Sequence, residues 1–387
     1  MNHTSLLEKQ RSWVEINLSH YEQNIGQLAG LMPAGASFLQ VVKADAYGHG
    51  AVEIAKKAIS LGIDFFGVAS TREGIQLRSG GIKSPILILS PCFDFEIEDI
   101  FKYNFIPSVS TFDFAKKLSA FGKPINIHIN VDTGMGRSGF YFDGARGEIE
   151  KIHTLANIEV QGIFSHFAAS DDDSSFTKEQ NQKFKELLHR LTFKPKYLHI
   201  ANSHALFSAD LGGTDLVRVG LLSFGASLAK QSKVNLLPVL SFRTKIIQIK
   251  TAKTGDTIGY NRTFVADKSL QYAILPIGYA DGYNYLLGNS GVVLVGKHIC
   301  KILGKVSMDM IAVDVSGTRS KVGDRTTLLG WQHRALSPQN IASSFGGSPY
   351  ELCCNAGRRS TRFFFDGGRL KSVHTHLERG EITNNFQ

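Results

Sequence analysis

Eight short apolar runs that alternate with amphipathic segments are the feature that most constrains the fold of this chain. The runs span residues 38–42, 65–69, 86–89, 105–109, 125–131, 160–165, 197–201 and 216–219. Amphipathic spacing between them, for example over 51–61, 112–121 and 176–191, predicts helices. Strands that alternate with helices form a parallel sheet, so eight of them predict an N-terminal (β/α)8 TIM barrel. A doubly wound open sheet is the structural alternative, but it usually has fewer strands.

The second part of the chain has a different texture, with β-branched and apolar stretches separated by Gly/Asp turns. These stretches span residues 239–250, 272–277, 291–299 and 311–315. Such a pattern is typical of a mostly antiparallel β domain. We therefore expect an α/β protein with a barrel over residues 12–235 and a β-rich domain over 236–375. The first strand, near 12–18, alternates polar and apolar residues and is a candidate to pack with the β-rich domain instead.

Composition excludes several classes of protein. With 43% hydrophobic and 20% charged residues among 387, the chain has the composition of an ordinary soluble globular protein. No apolar run approaches the roughly 20 residues of a membrane span, and the N-terminus lacks the apolar region of a secretory signal. The four cysteines, Cys92, Cys300, Cys353 and Cys354, form no C-x-x-C pair. That spacing favours neither disulfides nor a metal site and fits the reduced cytoplasm.

The net charge of +9 fits general surface basicity, which also suits an anionic cofactor or substrate. Nucleic-acid binders usually gather their basic residues on one face or helix, whereas the basic residues here are scattered. Their densest cluster is the short string Arg358-Arg359-Ser360-Thr361-Arg362. We therefore expect no nucleic-acid partner and no membrane partner.

A lysine stands at the end of the first barrel strand, in the string Val42-Lys43-Ala44-Asp45-Ala46-Tyr47-Gly48-His49-Gly50. Desolvation at such a position lowers the pKa of a lysine, and the free amine then forms a Schiff base with an aldehyde. A solvated lysine at a strand exit is the alternative, since most lysines are exposed. The helix after the next strand begins Ser70-Thr71-Arg72-Glu73, which fits a capping box.

Polar residues follow other barrel strands as well, at the edge where barrel enzymes carry their catalytic groups. Ser203 can donate its hydroxyl to a phosphate, and Gly220 and Leu221 can offer backbone N–H groups to it. His166 can stack on a heteroaromatic ring, or it caps the core at a strand end. Arg137, in a Gly-rich string, can hold an anionic oxygen, or it forms a surface salt bridge. This rim suits a phosphorylated aromatic cofactor.

In the second half, Tyr260 follows a glycine in the turn Asp256-Thr257-Ile258-Gly259-Tyr260-Asn261-Arg262. An exposed tyrosine hydroxyl can act as an acid or base, although a structural turn tyrosine is the alternative. The strings at 278–283 and 304–309 are turn-like and unspecific by themselves.

Five strings taken together carry a family resemblance that single residues do not. VKADAYGHG, VDTGMGRSG, ANS, GYADG and SMD occur in this order between Trp13 and Phe364. In these strings the chain resembles alanine racemase, a fold-type III pyridoxal-phosphate enzyme. The resemblance implies pyridoxal 5'-phosphate as the cofactor, with Lys43 as its Schiff-base lysine and as one base. It implies that Tyr260, contributed by a second copy of the chain, is the opposite base.

The same resemblance implies contacts to the cofactor or the substrate from eleven further residues. These are Tyr47, Ser203, Gly220 and Leu221 at the phosphate, Asn202 also at the cofactor, His166 against the ring, Arg218 at the pyridine nitrogen, Arg137 at the phenolic oxygen and the substrate carboxylate, Met308 and Asp309 of the second copy at the substrate, and Tyr279 at the entrance.

The implied activity is the interconversion of L-alanine and D-alanine, which supplies D-alanine for peptidoglycan. Racemisation removes the Cα proton on one face of a planar intermediate and returns it on the other, so it needs two bases on opposite faces. Bases from different subunits imply a homodimer with shared active sites. An arginine at the pyridine nitrogen keeps that nitrogen unprotonated, which weakens the ring as an electron sink and limits side reactions.

Several positions depart from the family pattern. Asn130 stands where many members carry a lysine that becomes carbamylated, so we predict that an anion such as chloride, or another side chain, supports Arg137. Val219 replaces a proline, Arg358 replaces a tyrosine of some members, and the string 359–362 departs from Arg-Val-Pro-Arg. The sequence also leaves open a broad-specificity racemase of the same fold, a basic amino-acid decarboxylase and a non-catalytic pyridoxal-phosphate carrier.

Overall fold

Apolar runs form strands and amphipathic segments form helices in the computed structural model, which describes residues 3–208, 211, 213–226 and 234–375. The chain divides into two compact units. Among the described residues, the barrel unit contains 24–223 with 234 and 235, and the β unit contains 3–23, 224–226 and 236–375. Segments from both the early and the late part of the chain therefore build the β unit.

The described residues form twenty-one strands. In chain order they are β1 Ser12–Asn17, β2 Ser37–Val41, β3 Phe66–Val68, β4 Ile86–Pro91, β5 Ile106–Val109, β6 Ile125–Asp132, β7 Phe140–Tyr141, β8 Ile158–Phe164, β9 Tyr197–His199, β10 Leu216–Val219, β11 Leu240–Lys245, β12 Gln248–Ala252, β13 Thr257–Ile258, β14 Phe264–Val265, β15 Leu270–Leu275, β16 Val292–Val295, β17 His298–Leu303, β18 Ile311–Asp314, β19 Arg325–Leu329, β20 Thr361–Asp366 and β21 Arg369–His374.

Twelve helical segments connect the strands in this part of the chain. They are α1 His3–Glu8, α2 Leu18–Ala29, α3 Lys43–Gly48, α4 Ala51–Ser60, α5 Thr71–Ser79, α6 Ile97–Lys102, α7 Phe112–Ala120, α8 Phe142–His153, α9 Ser174–His189, α10 Ala205–Ser208, α11 Pro338–Ser344 and α12 Pro349–Asn355. None of these twelve is long and apolar enough to cross a membrane.

Eight parallel strands form a nearly closed barrel in the order β10-β2-β3-β4-β5-β6-β8-β9. Between β9 and β10 the barrel is completed by a parallel bridge of Asn202 with Arg218 and a hydrogen bond from Arg218 N to Ala201 O at 3.1 Å. Each of the eight apolar runs overlaps one of these strands. The TIM-type barrel expected from the sequence is confirmed.

The barrel strands are rich in apolar residues, and most residues on both of their faces are buried. In β6, Ile127, Ile129 and Val131 are at most 1% exposed, and burial of each such side chain stabilises the fold by about 1.5–3 kcal/mol. The alternate positions carry His128 and Asn130, which are also buried. One face of the strand thus supplies apolar packing, and the other brings hydrogen-bonding groups to the candidate site.

The β unit is built on a ten-stranded sheet in the order β12-β15-β18-β17-β16-β19-β11-β1-β20-β21. Its pairings are antiparallel except that of β1 with β20, so the mostly antiparallel domain expected from the sequence is confirmed. The early strand β1 pairs with β11 and β20, within the β unit. The stretches 239–250 and 291–299 each contain parts of two strands, and Gly296, with φ of 61°, lies in the turn between β16 and β17.

Candidate active site

Lys43 lies on a left-handed turn between β2 and α4. Residues 44–47, within the segment α3, have φ of 52–54° and ψ of 40–50°. A left-handed conformation costs an L-residue other than glycine roughly 1–2 kcal/mol. Gly50 N donates to Asp45 O at 2.8 Å and helps to close the turn. Four successive strained residues persist only where their surroundings fix them, which is typical of functional sites.

Tyr47, on the same turn, lies against the backbone of Gly220. A Cβ atom added at Gly220 would lie 2.5 Å from Tyr47 Oη, so only glycine allows this approach. Gly220 N donates to Ser203 Oγ at 2.8 Å. Two buried hydroxyls therefore meet at the backbone of Gly220, and the next residue, Leu221, adds a backbone N–H. That donor set suits a phosphate, so the residues present fit the expected cofactor.

Arg218 is 4% exposed and commits its guanidinium to nearby acceptors. Nη1 donates to the carbonyl oxygen of His199 at 3.0 Å, and Nη2 donates to those of Ser165 and Ile200 at 2.7 and 3.0 Å. Nη1 also donates to His199 Nδ1 at 2.8 Å, and Nη2 donates to His166 Nδ1 at 3.0 Å. Desolvation by burial, with the charge of Arg137 adding to it, lowers the pKa of Arg218 to about 9. The guanidinium therefore remains charged at neutral pH.

Three histidines are linked to Arg218, and two of them, His128 and His199, are fully buried. Because Arg218 donates to Nδ1 of His166 and of His199, both rings are assigned as the tautomer with the proton on Nε2. His199 Nε2 then donates to His128 Nδ1 at 2.9 Å. Burial, with the charge of Arg218 adding to it, lowers the pKa of all three rings, that of His128 to about 3. They are therefore neutral at physiological pH.

Arg137 and Lys43 belong to the same electrostatic environment. After burial and Arg218, their charges are the next causes that lower the pKa of His166. Because coulombic coupling falls with distance, these three cations share one positively charged region around the imidazole. Such a region attracts a cofactor that carries a phosphate and a phenolic oxygen.

The Gly-rich string holds Arg137 on a loop that the backbone fixes. Asp132 Oδ1 accepts a hydrogen bond from Gly136 N at 3.1 Å. Asn130 Nδ2 donates to Ser138 Oγ at 3.0 Å, so it orders the residue after Arg137. The anion expected beside Arg137 stays a prediction.

Two side-chain amides order the neighbouring loops of the barrel rim. Gln180, on α9, donates from Nε2 to His166 O at 3.0 Å and accepts from Ala168 N at 2.9 Å. Asn202 Oδ1 accepts from Ser170 Oγ at 2.8 Å and so orders the loop next to Ser203. Sequence reasoning missed Gln180, because an amide in the middle of a helix carries no motif.

The remaining predicted residues lie on turns of the β unit: Tyr260, Tyr279, Met308 and Asp309. Tyr260 is 69% exposed. Tyr279 N donates to Ser307 O at 3.0 Å, which joins two of the turns. A Cβ atom at Gly304 would lie 2.4 Å from Ile258 O, so the turn before Tyr260 packs against the loop that leads to Ser307. The β unit therefore presents these side chains from adjoining turns.

Arg359 ties two of these turns together, a role that the sequence analysis did not assign. Nε and Nη2 each donate to one carboxylate oxygen of Asp281 at 2.9 Å, and Nη2 also donates to Asp309 Oδ1 at 2.7 Å. These hydrogen bonds raise the pKa of Arg359. Arg362 is 4% exposed and donates to the carbonyl oxygen of Ala356 at 3.2 Å. The basic cluster near residue 360 is therefore largely engaged within the chain.

The structure gathers the predicted site residues in two places. The barrel unit carries Lys43, Tyr47, Arg137, His166, Asn202, Ser203, Arg218, Gly220 and Leu221, and the β unit carries Tyr260, Tyr279, Met308 and Asp309. Within the described part of the chain, no three His, Cys, Asp or Glu side chains are grouped so that they could hold a metal ion.

Two family models match the two halves of the chain. The model described as the alanine racemase N-terminal domain matches residues 16–228, and the alanine racemase C-terminal domain matches residues 239–364. The chain belongs to the alanine racemase family. Alanine racemases are pyridoxal-phosphate-dependent isomerases, and the resemblance stated from the sequence strings is confirmed.

Individual alanine racemases agree with this membership over nearly the whole chain. That of Halothermothrix orenii is 36% identical, with 91% of this chain and 96% of the relative covered. Alanine racemase 2 of Caldanaerobacter subterraneus subsp. tengcongensis is 35% identical, with 94% and 97% covered. The solved alanine racemase of Clostridium difficile 630 superposes with a TM-score of 0.90 at 30% identity, over 95% of this chain and 99% of the other. That of Bacillus anthracis with bound L-Ala-P gives 0.88 at 30% identity, over 96% and 99%. These comparisons support alanine racemase function.

Proposed function

We propose that this member of the alanine racemase family interconverts L-alanine and D-alanine with pyridoxal 5'-phosphate as its cofactor. The observation that carries the proposal is the left-handed turn of the barrel unit, which holds Lys43 and also places Tyr47 against Gly220. A single strained turn thereby fixes an amine for the cofactor's aldehyde and a donor for its phosphate. The relatives named alanine racemase support alanine as the substrate.

The barrel residues would bind and orient this cofactor through their charge and their donors. When bound, pyridoxal phosphate supplies the electron delocalisation that makes the Cα proton of an amino acid removable. Arg218 would hold the pyridine nitrogen from Nε, since its Nη atoms donate to the acceptors described above. A guanidinium only donates hydrogen bonds, so this nitrogen stays unprotonated. Arg137 would hold the phenolic oxygen and the substrate carboxylate, and His166 would lie against the ring.

Two bases would move the Cα proton between the faces of the substrate. The amine of Lys43 acts on one face, and the hydroxyl of Tyr260 from a second copy of the chain acts on the other. The β unit exposes apolar side chains beside the expected site residues, with Met308 52% and Leu286 61% exposed. Exposed apolar surface favours association, because burying it removes it from water. These side chains therefore support a homodimer in which a second copy covers them and the sites are shared.

Chiral chromatography tests the proposed reaction directly. Purified protein with added pyridoxal phosphate is incubated with L-alanine, L-serine or L-lysine, and the D-enantiomer is measured. We expect alanine to approach an equal mixture of enantiomers while the other two change little. Comparable conversion of several amino acids would favour a broad-specificity racemase. No conversion by protein that binds the cofactor would favour a carrier.

Subunit complementation tests whether the two bases come from different chains. Lys43→Ala and Tyr260→Phe are each purified as inactive proteins, mixed, dissociated and reassociated. In a mixed dimer with shared sites, one of the two sites regains both bases, so an equal mixture should recover about a quarter of the wild-type activity. If the bases belong to the same chain, mixing restores nothing. Sedimentation that shows a fully active monomer would also contradict the dimer.

The cellular role is part of the same proposal. The product D-alanine would supply peptidoglycan synthesis, and the enzyme would act in the cytoplasm. Both follow from the proposed reaction and from the expectation that the cysteines remain reduced.

A further inference from the structure

The carboxylate of Glu73 joins two successive loops of the barrel rim. Ser70 Oγ accepts from Glu73 N at 3.4 Å, which is half of the capping box expected from the sequence. In the other half of such a box, the acid would bond the N–H of the capping residue itself. Here Glu73 Oε2 accepts from Ala69 N at 2.7 Å, and Oε1 accepts from Ala44 N at 2.8 Å. The carboxylate of Glu73 therefore bonds the residue that follows Lys43 instead of the N–H of its own capping residue.

A second side chain of the same helix contacts the next residue of the turn. Gln76 lies one helical turn after Glu73 on α5, on the same face. Its Nε2 donates to Asp45 Oδ1 at 3.3 Å, and the same carboxylate oxygen accepts from Ala51 N at 2.8 Å. One face of α5 thus holds the first two residues of the left-handed turn.

The strain of the turn explains why it needs such contacts. Residues 44–47 all have positive φ, and none of them is glycine. A chain of L-residues released from its neighbours relaxes towards right-handed or extended backbone. That relaxation rotates the Cα–Cβ bonds and would redirect the side chain of Lys43. Hydrogen bonds to a charged carboxylate are roughly twice as strong as neutral ones, so Glu73 is suited to oppose it.

We propose that Glu73 is a positioning residue that holds the left-handed turn and thereby aims the amine of Lys43. Its effect is exerted through the backbone N–H of Ala44. This role rests on the proposed function only in that Lys43 is taken as the cofactor lysine. The hold on the turn itself is a property of the chain without cofactor.

Glu73→Gln tests the role, with Glu148→Gln as the matched control. The glutamine keeps the length but offers one accepting oxygen, so one backbone N–H faces an NH2 group and loses its acceptor. Glu148 lies on α8 of the same unit, and its carboxylate pairs with the exposed Lys151. Amide hydrogen exchange of residues 42–50 is measured in cofactor-free full-length protein. We expect about tenfold faster exchange in Glu73→Gln, because a hydrogen bond to a charged group is lost, and unchanged exchange in Glu148→Gln.

The loaded enzyme provides a second readout. In Glu73→Gln, kcat should fall about tenfold with little change in KM, because a misplaced amine affects the reaction more than alanine binding. The pH at which the visible absorbance of the bound cofactor changes should also shift. Exchange and absorbance equal to those of the wild type in Glu73→Gln would overturn the role.

A backbone variant separates the turn from a general loss of stability. Ala44→Gly removes the penalty of positive φ at the residue that Glu73 contacts. Added to Glu73→Gln, it should recover most of the lost kcat. If the double variant is as impaired as Glu73→Gln alone, strain in the turn is not the cause and the inference fails. Wild-type protein without a visible cofactor band would refute the proposed function, and hydrogen exchange would still decide the role of Glu73.

Discussion

The two units present their site residues in opposite ways. In the barrel unit, Arg218, His128 and His199 are buried, and hydrogen bonds hold them and the half-buried His166. In the β unit, Tyr260 is 69% exposed and Asp309 is held by an ion pair with Arg359. The barrel side of the site is thus preorganised by its own core. In the β unit, turns and Arg359 order the site residues, and the side chain of Tyr260 stays exposed to another surface.

This difference assigns separate tasks to the units. Desolvation keeps the three histidines of the barrel unit neutral, because it disfavours their charged forms. Exposure leaves the hydroxyl of Tyr260 available to a partner. The groups that surround this hydroxyl in the active enzyme would then come from outside the β unit. Variants in the barrel should therefore alter cofactor binding, and variants in the β unit should alter the reaction without altering that binding.

Lys43→Ala should produce the largest effect. Without the amine, we expect activity to fall by more than about a thousandfold and the visible cofactor band to be lost. Racemase assays and absorbance spectra of the purified variant measure both. If the variant keeps the band, another lysine binds the cofactor, and the task assigned to this turn of the barrel unit is wrong.

Tyr260→Phe should produce the next largest effect and the sharper contrast. Loss of one acid–base group typically costs about 10²–10⁴-fold in rate. The cofactor band should be unchanged, because Tyr260 belongs to the β unit. Conversion rates and spectra are compared with those of Tyr285→Phe, another exposed tyrosine of that unit. Full activity in Tyr260→Phe would remove this residue from the mechanism.

Acid should destabilise the barrel unit through the three histidines that are linked to Arg218. Burial lowers the folded-state pKa of His128, His166 and His199 below the usual 6.5, so the unfolded chain binds more protons as the pH falls through that value. The free energy of unfolding is therefore fully retained above pH 6.5. Below it, each histidine costs up to about 1.4 kcal/mol per pH unit.

Urea unfolding at pH 7.5, 6.5 and 5.5 measures this loss. For His128 the loss should continue towards its folded-state pKa of about 3. His128→Leu should reduce the pH dependence, and His298→Gln, at an exposed position of the β unit, should leave it unchanged. Equal pH dependence in all three proteins would contradict the neutral buried rings.

Arg359→Leu should produce the smallest of these effects. Loss of its bonds to Asp281 and Asp309 loosens the two turns, and we expect KM for alanine to rise by about tenfold with cofactor binding unchanged. Arg359→Lys should recover part of this, since it keeps the charge without the paired geometry. Arg358→Leu is the matched control, because Arg358 is exposed and contacts Asn355. An equal change of KM in both leucine variants would contradict a role of Arg359 in ordering the two turns.

The barrel was predictable because most of its strands are short runs rich in apolar residues. The β unit was less so. Strand β19 begins Arg325-Thr326-Thr327, and β21 alternates exposed and half-buried residues from Arg369 to His374, so neither forms an apolar run. The apolar pattern merges the hairpin of β16 and β17 into one stretch, because only Gly296 and Lys297 separate its strands.

The candidate site was predictable where a residue stands in a motif. Lys43 and Ser203 follow barrel strands and stand in two of the strings that carry the family resemblance, and Arg218 lies near the end of β10. Glu73 and Arg359 act on groups that lie far away in the sequence, at Ala44 and Asp281. Their roles depend on tertiary contacts, which no local pattern encodes. The left-handed turn was hidden for a related reason, since alanine, aspartate and tyrosine usually adopt right-handed backbone.

The hydrogen bonds of the left-handed turn also limit how the length of this segment can vary. Gly50 N reaches Asp45 O, Ala51 N reaches Asp45 Oδ1, and Ala44 N reaches Glu73, so these bonds require a fixed number of residues after the end of β2. Inserting or deleting one residue between Lys43 and Gly50 would move all later donors past their acceptors. Length variation among enzymes with this turn should therefore fall in loops elsewhere, and grafting this site onto another barrel would require the segment and its contacts on α5 to be moved together.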